Sequence, residues 1–255
     1  MDAPLRIGAV LPARDEALAI TGVVEGLARC RDAAGRPLFS AIAVCDNGSS
    51  DDTGALARRA GAIVVREEQA GYGIACQRAV QALGEVDVLV FVDADGSVVE
   101  AQARALIAEI EAGADLVIGS RTLGHAETGA LTLPQRFGNR LAVALIRGIW
   151  GVRYTDLGPF RAIRMDAYRR LAMRDVAFGW TVEMQVKAAQ RRMAVREVAV
   201  DTRVRLGRSK ISGTVRGVIG AGVGILGMVA RCWWEERRAG STLTTVKAPR
   251  ALPRG

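Results

Sequence analysis

The sequence predicts an α/β protein built on a mostly parallel, doubly wound central sheet flanked by helices. Short apolar runs alternate with amphipathic stretches through the first half of the chain, which is the beat of a βαβα protein. The run Val88–Val92 is apolar at every position, as expected of a strand covered on both faces rather than one. That run ends in Asp93, Ala94 and Asp95, at the carboxyl end of a strand, where open parallel sheets collect their ligands. An Asp pair also serves as a turn or helix cap, so the surrounding motifs decide its meaning.

The elements follow in order. RIGAVLPA (residues 6–13) reads as the first strand, and Ile20, Val23, Val24 and Leu27 mark one face of the first helix. AIAVCD (41–46) is the second strand, followed by a helix opened by NGSSDDT. AIVVRE (62–67), a helix from about Gly73 to Leu83, the strand DVLVFVD, a helix from about Glu100 to Ala112 and the strand DLVIGSR continue the alternation. Asp46 and Asp93 end two strands, and neighbouring strands would bring both acids to one edge. The second half is less regular. A helix is expected over Gln135–Ile149, a turn-rich TDLGPF leads into a strand FRAIR, helices follow around Ala167 and over Thr181–Arg191, and a strand pair spans Val195–Val204.

Residues 212–238 hold the most hydrophobic piece. Its uncharged core between Arg216 and Arg231 is 14 residues, about 21 Å as a helix, against a hydrocarbon thickness of about 30 Å. That is short for a span. Glycines 213, 217, 220, 224 and 227 form a small-residue stripe that permits close approach of another helix, whether from a second copy or from the protein's own core. The other reading is a helix lying in the membrane interface, with Trp233, Trp234 and flanking arginines at headgroup level. Residues 239–255, rich in Pro, Thr, Gly and basic residues, read as a disordered tail.

Length and composition bound the rest. A chain of 255 residues, half of it hydrophobic, buries one substantial core. Four cysteines without C-x-x-C spacing and a single His exclude a zinc cluster. The N-terminus runs directly into a strand without a signal peptide pattern, so a cytoplasmic protein is expected. The net charge of +8 conceals a split: residues 1–120 carry 10 Lys/Arg against 18 Asp/Glu, and residues 121–255 carry 25 against 9. An acidic half suits a divalent cation and a basic half suits anions. Nucleic acid is disfavoured as the anion, because aromatics are only 5% and stacking platforms are lacking.

The motifs LPARDE, CDNGSSDDT, VDADG, GSR, TDLGPFR and RSK, in this order, resemble those of the family 2 glycosyltransferases with the GT-A fold. Within that family the chain is similar to polyprenyl-phosphate hexosyltransferases such as dolichyl-phosphate mannose or glucose synthases. The resemblance implies a catalytic domain over residues 1–211 that transfers hexose, with inversion, from a UDP- or GDP-linked donor to a polyprenyl phosphate. It implies that Asp95, with Asp93 beside it, binds Mg²⁺ or Mn²⁺, oxygen ligands being what hard cations take. Pro12, Arg14, Glu16, Asp46, Gly71 and Gly73 fall on the donor-nucleotide side, and Tyr72 stands where the family more often has Lys. Catalytic positions fall on Asp95, Asp156 and Arg121. Acceptor or phosphate contacts fall on Arg136, Arg140, Glu183, Arg203, Arg205, Ser209 and Lys210. Glu183 and Lys187 are also spaced to pair at i, i+4 on a helix. Expected partners are the sugar nucleotide, the lipid phosphate and an anionic membrane surface at the inner face of the cell membrane, with a homo-oligomer permitted by the glycine stripe. The competing readings are a soluble family 2 enzyme with a hydroxyl acceptor and Asp156 as base, and a sugar nucleotidyltransferase. The latter would need a Gly-rich basic loop after the first strand, which LPARDEA lacks.

Overall fold

The computed structural model describes residues 4–207 and 215–243, with side chains of the last helix described from 224 to 238. Among these residues there are seven strands: β1 (Ile7–Ala13), β2 (Ala41–Asp46), β3 (Ile63–Arg66), β4 (Val88–Phe91), β5 (Leu116–Ser120), β6 (Arg161–Arg164) and β7 (Val195–Ala199). The helices are α1 (Ile20–Arg29), α2 (Thr53–Arg59), α3 (Tyr72–Ala82), α4 (Ala103–Glu111), α5 (Leu133–Trp150), α6 (Met165–Leu171), α7 (Trp180–Gln190) and α8 (Val215–Leu243). They form one sheet in the order β3-β2-β1-β4-β6-β5-β7, with β6 antiparallel to both its neighbours and the other pairings parallel.

Strict alternation along the central strands divides the core in two. Ile7, Ala9, Leu11, Val88 and Val90 face a layer that includes α1, α2 and α4, where Ile20, Val24, Leu27, Ala57, Leu106 and Ile110 are buried. Val10, Leu89 and Phe91 face the opposite layer, which includes α3, α5 and α7 with Cys76, Ala79, Ile146, Val182 and Met184. Each Val, Leu, Ile, Phe or Met among them, nearly all at zero exposure, contributes about 1.5–3 kcal/mol of hydrophobic stabilisation. A strand apolar at every position is therefore what two covered faces require.

Two expectations need correcting. Asp46 and Asp93 do not end neighbouring strands: β1 lies between β2 and β4, paired in parallel with both, and it delivers its own loop, Arg14–Glu16, between the two acids. Residues 195–204 are not a strand pair. β7 extends the sheet by pairing in parallel with β5, and the chain then continues as isolated bridges from Thr202 to Val98 and Ala126. There the 124 loop packs tightly against it, a Cβ on Gly124 standing 2.1 Å from the Val200 carbonyl oxygen.

Among the described residues no helix is long and apolar enough to cross a membrane. One face of the described part of α8 docks on the protein itself, while Leu226, Trp233 and Trp234 stay exposed. Met228, Val229 and Cys232 join the buried core, the Gln190 amide donates to the Cys232 carbonyl at 3.1 Å, and the Trp150 indole donates to Glu236 at 2.6 Å. Of the glycine stripe, Gly224 faces Phe178 of the same chain, while Gly213 lies outside the described residues. Of the tail expected over residues 239–255, residues 239–243 continue α8, and those beyond 243 lie outside the described residues.

The start of α3 shows why its glycines are needed. The backbone of residues 175–177 lies against it, with Gly73 N–H donating to the Ala177 carbonyl at 3.2 Å and Ile74 N–H to the Val176 carbonyl at 3.1 Å. A Cβ on Gly73 would stand 2.2 Å from the Asp175 carbonyl oxygen, and backbone cannot yield as a flexible side chain does. Gly73→Ala should cost about 1–3 kcal/mol or more. Gly22→Ala in α1, where a Cβ meets nothing within 4 Å, should stabilise by about 0.5–1 kcal/mol. Urea unfolding of the two variants checks the contrast in sign.

Candidate active site

A cleft of about 330 Å³ opens at the carboxyl edge of β1 and β4 and is lined by Pro12, Arg14, Glu16, Asn47, Tyr72, Asp93, Asp95, Phe178 and Arg205, among others. Its floor is the loop after β1. Asp15 there has φ +49, a left-handed conformation that is costly for a residue with a Cβ and gathers at functional sites. It is held by Asp15 N–H donating to Ser49 Oγ at 2.9 Å and by Ser50 N–H donating to Asp15 Oδ1 at 2.6 Å. Glu16 N–H donates to Thr53 Oγ1 at 2.8 Å. The β1 and β2 loops thus lock each other.

Three carboxylates, Glu16, Asp93 and Asp95, share this cleft with the guanidinium of Arg205. Arg205 donates to Glu16 Oε1 at 2.6 Å and lies 3.4 Å from Asp95 Oδ2. Asp95 Oδ1 accepts from the Ser97 hydroxyl at 2.6 Å and from its N–H at 3.0 Å, leaving Oδ2 toward Arg205. Asp93 Oδ1 accepts from the Tyr72 hydroxyl at 3.0 Å. Burial, then the neighbouring Asp95 charge, pushes Asp93 up to about 6, against the pull of Tyr72, Arg121 and Arg205. Burial likewise pushes Glu16 up to about 7, with Arg205 opposing and Asp95 and Asp93 adding.

The sign of the pH effect follows. A carboxyl whose folded pKa lies above its unfolded value is protonated more readily in the fold, so its contribution is present at low pH and lost as pH rises. The windows run from the ordinary 3.8 to about 6 for Asp93 and from 4.5 to about 7 for Glu16. The ligand-free protein should therefore lose stability as pH rises from 4 to 7 at these two sites. Melting curves across that range for the wild type and for Asp93→Asn check it: the variant should show a shallower decline.

Asp156 and Arg121 form a second, deeper pair. Arg121 Nε donates to Asp156 Oδ2 and Nη2 to Oδ1, both at 2.8 Å, and Arg121 N–H adds a third bond to Oδ2 at 2.9 Å. Asp156 is 1% exposed. Its loop is anchored from α5 by Asn139 Oδ1, which accepts from Leu157 N–H at 2.8 Å, and from α7 by Gln185 Nε2, which donates to the Asp156 carbonyl at 3.0 Å. Beneath it Arg161 is buried with no carboxylate hydrogen-bonded to it among the described residues, donating instead to the carbonyls of Leu157, Gly158 and Thr181. Burial pushes that guanidinium down to about 10.

Of the residues expected from sequence, the cleft gathers Pro12, Arg14, Glu16, Gly71, Asp93, Asp95 and Arg205. Asp46 lies behind it, 6% exposed, accepting from Ser49 N–H at 2.9 Å and Arg66 Nη1 at 3.1 Å. Gly73 meets Asp175 rather than the cleft. Glu183 is buried, paired with Lys187 at 2.6 Å, and accepts from Arg174 and Asp175 N–H at 2.8–3.1 Å. It holds the backbone that leads to Ala177 and Phe178 on the cleft wall. Arg203 pairs with Glu100 at 3.8 Å, Arg136 and Arg140 are exposed on α5, and Ser209 and Lys210 lie outside the described residues.

Sequence reading passed over Asn47 and Phe178. Asn47 Oδ1 accepts from Gly71 N–H at 2.8 Å and its Nδ2 donates to the carbonyls of Glu67 and Gln69, which ties the β2 and β3 loops together. Its place directly after Asp46 in CDNGSS was the available signal.

The chain matches the family model "Glycosyl transferase family 2" over residues 9–198. It belongs to that family. An uncharacterized glycosyltransferase of Mycobacterium tuberculosis is 36% identical over 179 residues, covering 69% of this chain and 80% of the relative. A dolichyl-phosphate hexose transferase of Haloferax volcanii is 31% identical over 209 residues, covering 80% and 86%. Among solved structures, glucosyl-3-phosphoglycerate synthase from Mycobacterium tuberculosis, crystallised with Mn²⁺ and UDP-glucose, superimposes with a TM-score of 0.68 at 20% identity, covering 90% of this chain and 79% of the other. That likeness confirms the GT-A architecture of this family 2 glycosyltransferase.

The residues present suit a hard cation. No group of three or more His, Cys, Asp or Glu with metal-holding geometry exists among the described residues. The protein's share would thus be the carboxylates of Asp95 and Asp93, with phosphates and water completing the shell, as Mg²⁺ and Mn²⁺ sites commonly arrange it.

Proposed function

We propose that this family 2 glycosyltransferase transfers a hexose, glucose or mannose, from a UDP- or GDP-linked donor to a polyprenyl phosphate, with inversion and with Mg²⁺ or Mn²⁺. The observation that carries the donor half is the cleft itself, where Arg205 lies between Glu16 and Asp95, with Asp93 on the same lining, at the carboxyl edge of the sheet. When bound, the metal would neutralise charge on the departing nucleoside diphosphate. Arg14 lines the cleft within reach of an anionic ligand, and Asn47 and Tyr72 shape its walls.

For the acceptor, the arrangement of Asp156 supports phosphate over hydroxyl. Both its carboxylate oxygens are engaged by Arg121, so neither is turned free toward an incoming hydroxyl, and a phosphate already ionised near neutral pH requires no base. The name of the Haloferax relative points the same way. Membrane contact is supported by α5 more than by α8, whose described core-facing side chains are spent within the fold. Leu133, Phe137 and Leu141 form an i, i+4, i+8 stripe at 81%, 70% and 37% exposure, beside Arg136 and Arg140, the composition of a helix that lies on an anionic bilayer surface. On α8, Trp233 and Trp234 carry Arg237 and Arg238 at 4.3 and 3.6 Å over their rings.

The test incubates the protein with Mn²⁺ or Mg²⁺, a panel of UDP- and GDP-sugars and a polyprenyl phosphate. Formation of a lipid-linked sugar is expected. Glycosylation of a hydroxyl acceptor with no lipid product would overturn the acceptor reading. Leu133→Ser with Phe137→Ser should reduce flotation with vesicles containing anionic lipid, and unchanged flotation would remove α5 from the membrane contact.

A further inference from the structure

Arg205 reaches the cleft from a segment fixed on both sides of it. Arg203 N–H donates to the Ser97 carbonyl and Leu206 N–H to the Asp95 carbonyl, each at 2.9 Å, and Val204 N–H donates to Glu127 Oε2 at 2.8 Å. The backbone of 203–206 therefore runs beside 95–97, and the guanidinium is placed between Glu16 and Asp95. It is incompletely satisfied there: Arg205 Nε is buried without a hydrogen-bond partner among the described residues. A permanent structural ion pair ordinarily satisfies such a donor, and a guanidinium fork left short of partners fits a phosphate group well.

Resting on the donor-site reading above, we infer that Arg205 holds, in the ligand-free enzyme, the place of positive charge that the divalent cation takes in the donor complex, so that the two cations exchange. A cationic guanidinium nitrogen 3.4 Å from Asp95 Oδ2 competes by charge and by position with an ion that would stand about 2.1 Å from that oxygen with its remaining shell. Metal arriving alone must displace Arg205 from Asp95 and leaves it facing no new partner. Donor diphosphate supplies that partner. Binding of metal and nucleotide is then mutually reinforcing, and Arg205 is the positioning residue that couples them, typically by about 5- to 150-fold for such linked sites.

The experiment measures Mn²⁺ binding to the full-length protein by electron paramagnetic resonance, with and without UDP. In the wild type, Mn²⁺ alone should bind weakly and UDP should tighten it. Arg205→Gln should bind Mn²⁺ alone at least about 5-fold more tightly than the wild type, bind UDP more weakly, and lose most of the coupling. Arg205→Lys, which keeps the charge, should stay near the wild type for Mn²⁺ alone. A residue that merely supports the fold would weaken both ligands together. Unchanged or weaker Mn²⁺ binding by Arg205→Gln overturns the inference, as does a wild type in which UDP and Mn²⁺ bind independently. A wild type that binds neither ligand overturns the donor-site reading itself, and the inference with it.

Discussion

Asp95→Asn should reduce metal-dependent glycosyl transfer by about 10³-fold or more. The carboxamide keeps the volume of Asp95 and can retain the Ser97 hydroxyl and N–H contacts through its oxygen, so the turn after β4 should survive. What disappears is the charge on Oδ2, the oxygen turned toward the cleft. Stabilisation of a departing diphosphate by a metal amounts to several kcal/mol, and each 1.4 kcal/mol is a factor of ten in rate. Removing one of three crowded carboxylates also relieves repulsion on Asp93 and Glu16, so the variant should melt no lower than the wild type. Steady-state rates with Mn²⁺, beside a melting curve, check both halves. Near-normal metal-dependent turnover would remove Asp95 from the reaction.

Arg121→Ala should be the most damaging single change to stability at the site. Its guanidinium provides both side-chain bonds to Asp156, and Asp156 is 1% exposed. Stripping a buried carboxylate of its hydrogen-bonded partner costs about 3–5 kcal/mol, because water cannot replace the two lost bonds and the buried Arg161 offers only a coulombic pull. The double variant Arg121→Ala/Asp156→Ala should recover part of that loss, as coupled neighbours do. Urea unfolding of the two single variants and the double variant gives the coupling directly. Additive losses would show that the pair contributes little beyond its separate contacts.

The strands and most helices were legible because each is a local pattern. VLVF declares two buried faces, and Ile20, Val23, Val24 and Leu27 declare one helical face. Their order in the sheet was not legible. Nothing local to RIGAVLPA says that it will stand between β2 and β4, and nothing in FRAIR says that it will run antiparallel between β4 and β5. The site shows the same division. Pro12, Arg14, Glu16, Asp93 and Asp95 could be placed because they end strands or follow them. The ion pair of Glu16 with Arg205 spans 189 positions, and the clamp of Asn47 on Gly71 joins two loops, so neither has a spacing to read. Glu183 was ambiguous for a physical reason: the i, i+4 pair with Lys187 is real, and the same carboxylate also secures the backbone of residues 174–175.

The antiparallel insertion of β6 also bears on how the chain is made. β4 pairs along one edge with β1 and along the other with β6 from Arg161 to Arg164. At ribosomal rates of about 5–20 residues per second, the roughly 70 residues separating the two strands take about 4–14 s to emerge. For that interval the newborn chain holds an apolar strand with one unpaired edge, the kind of template on which other strands dock. Slow translation through residues 92–160 would lengthen that exposure, and chaperone demand during synthesis should fall once Arg164 has cleared the exit tunnel.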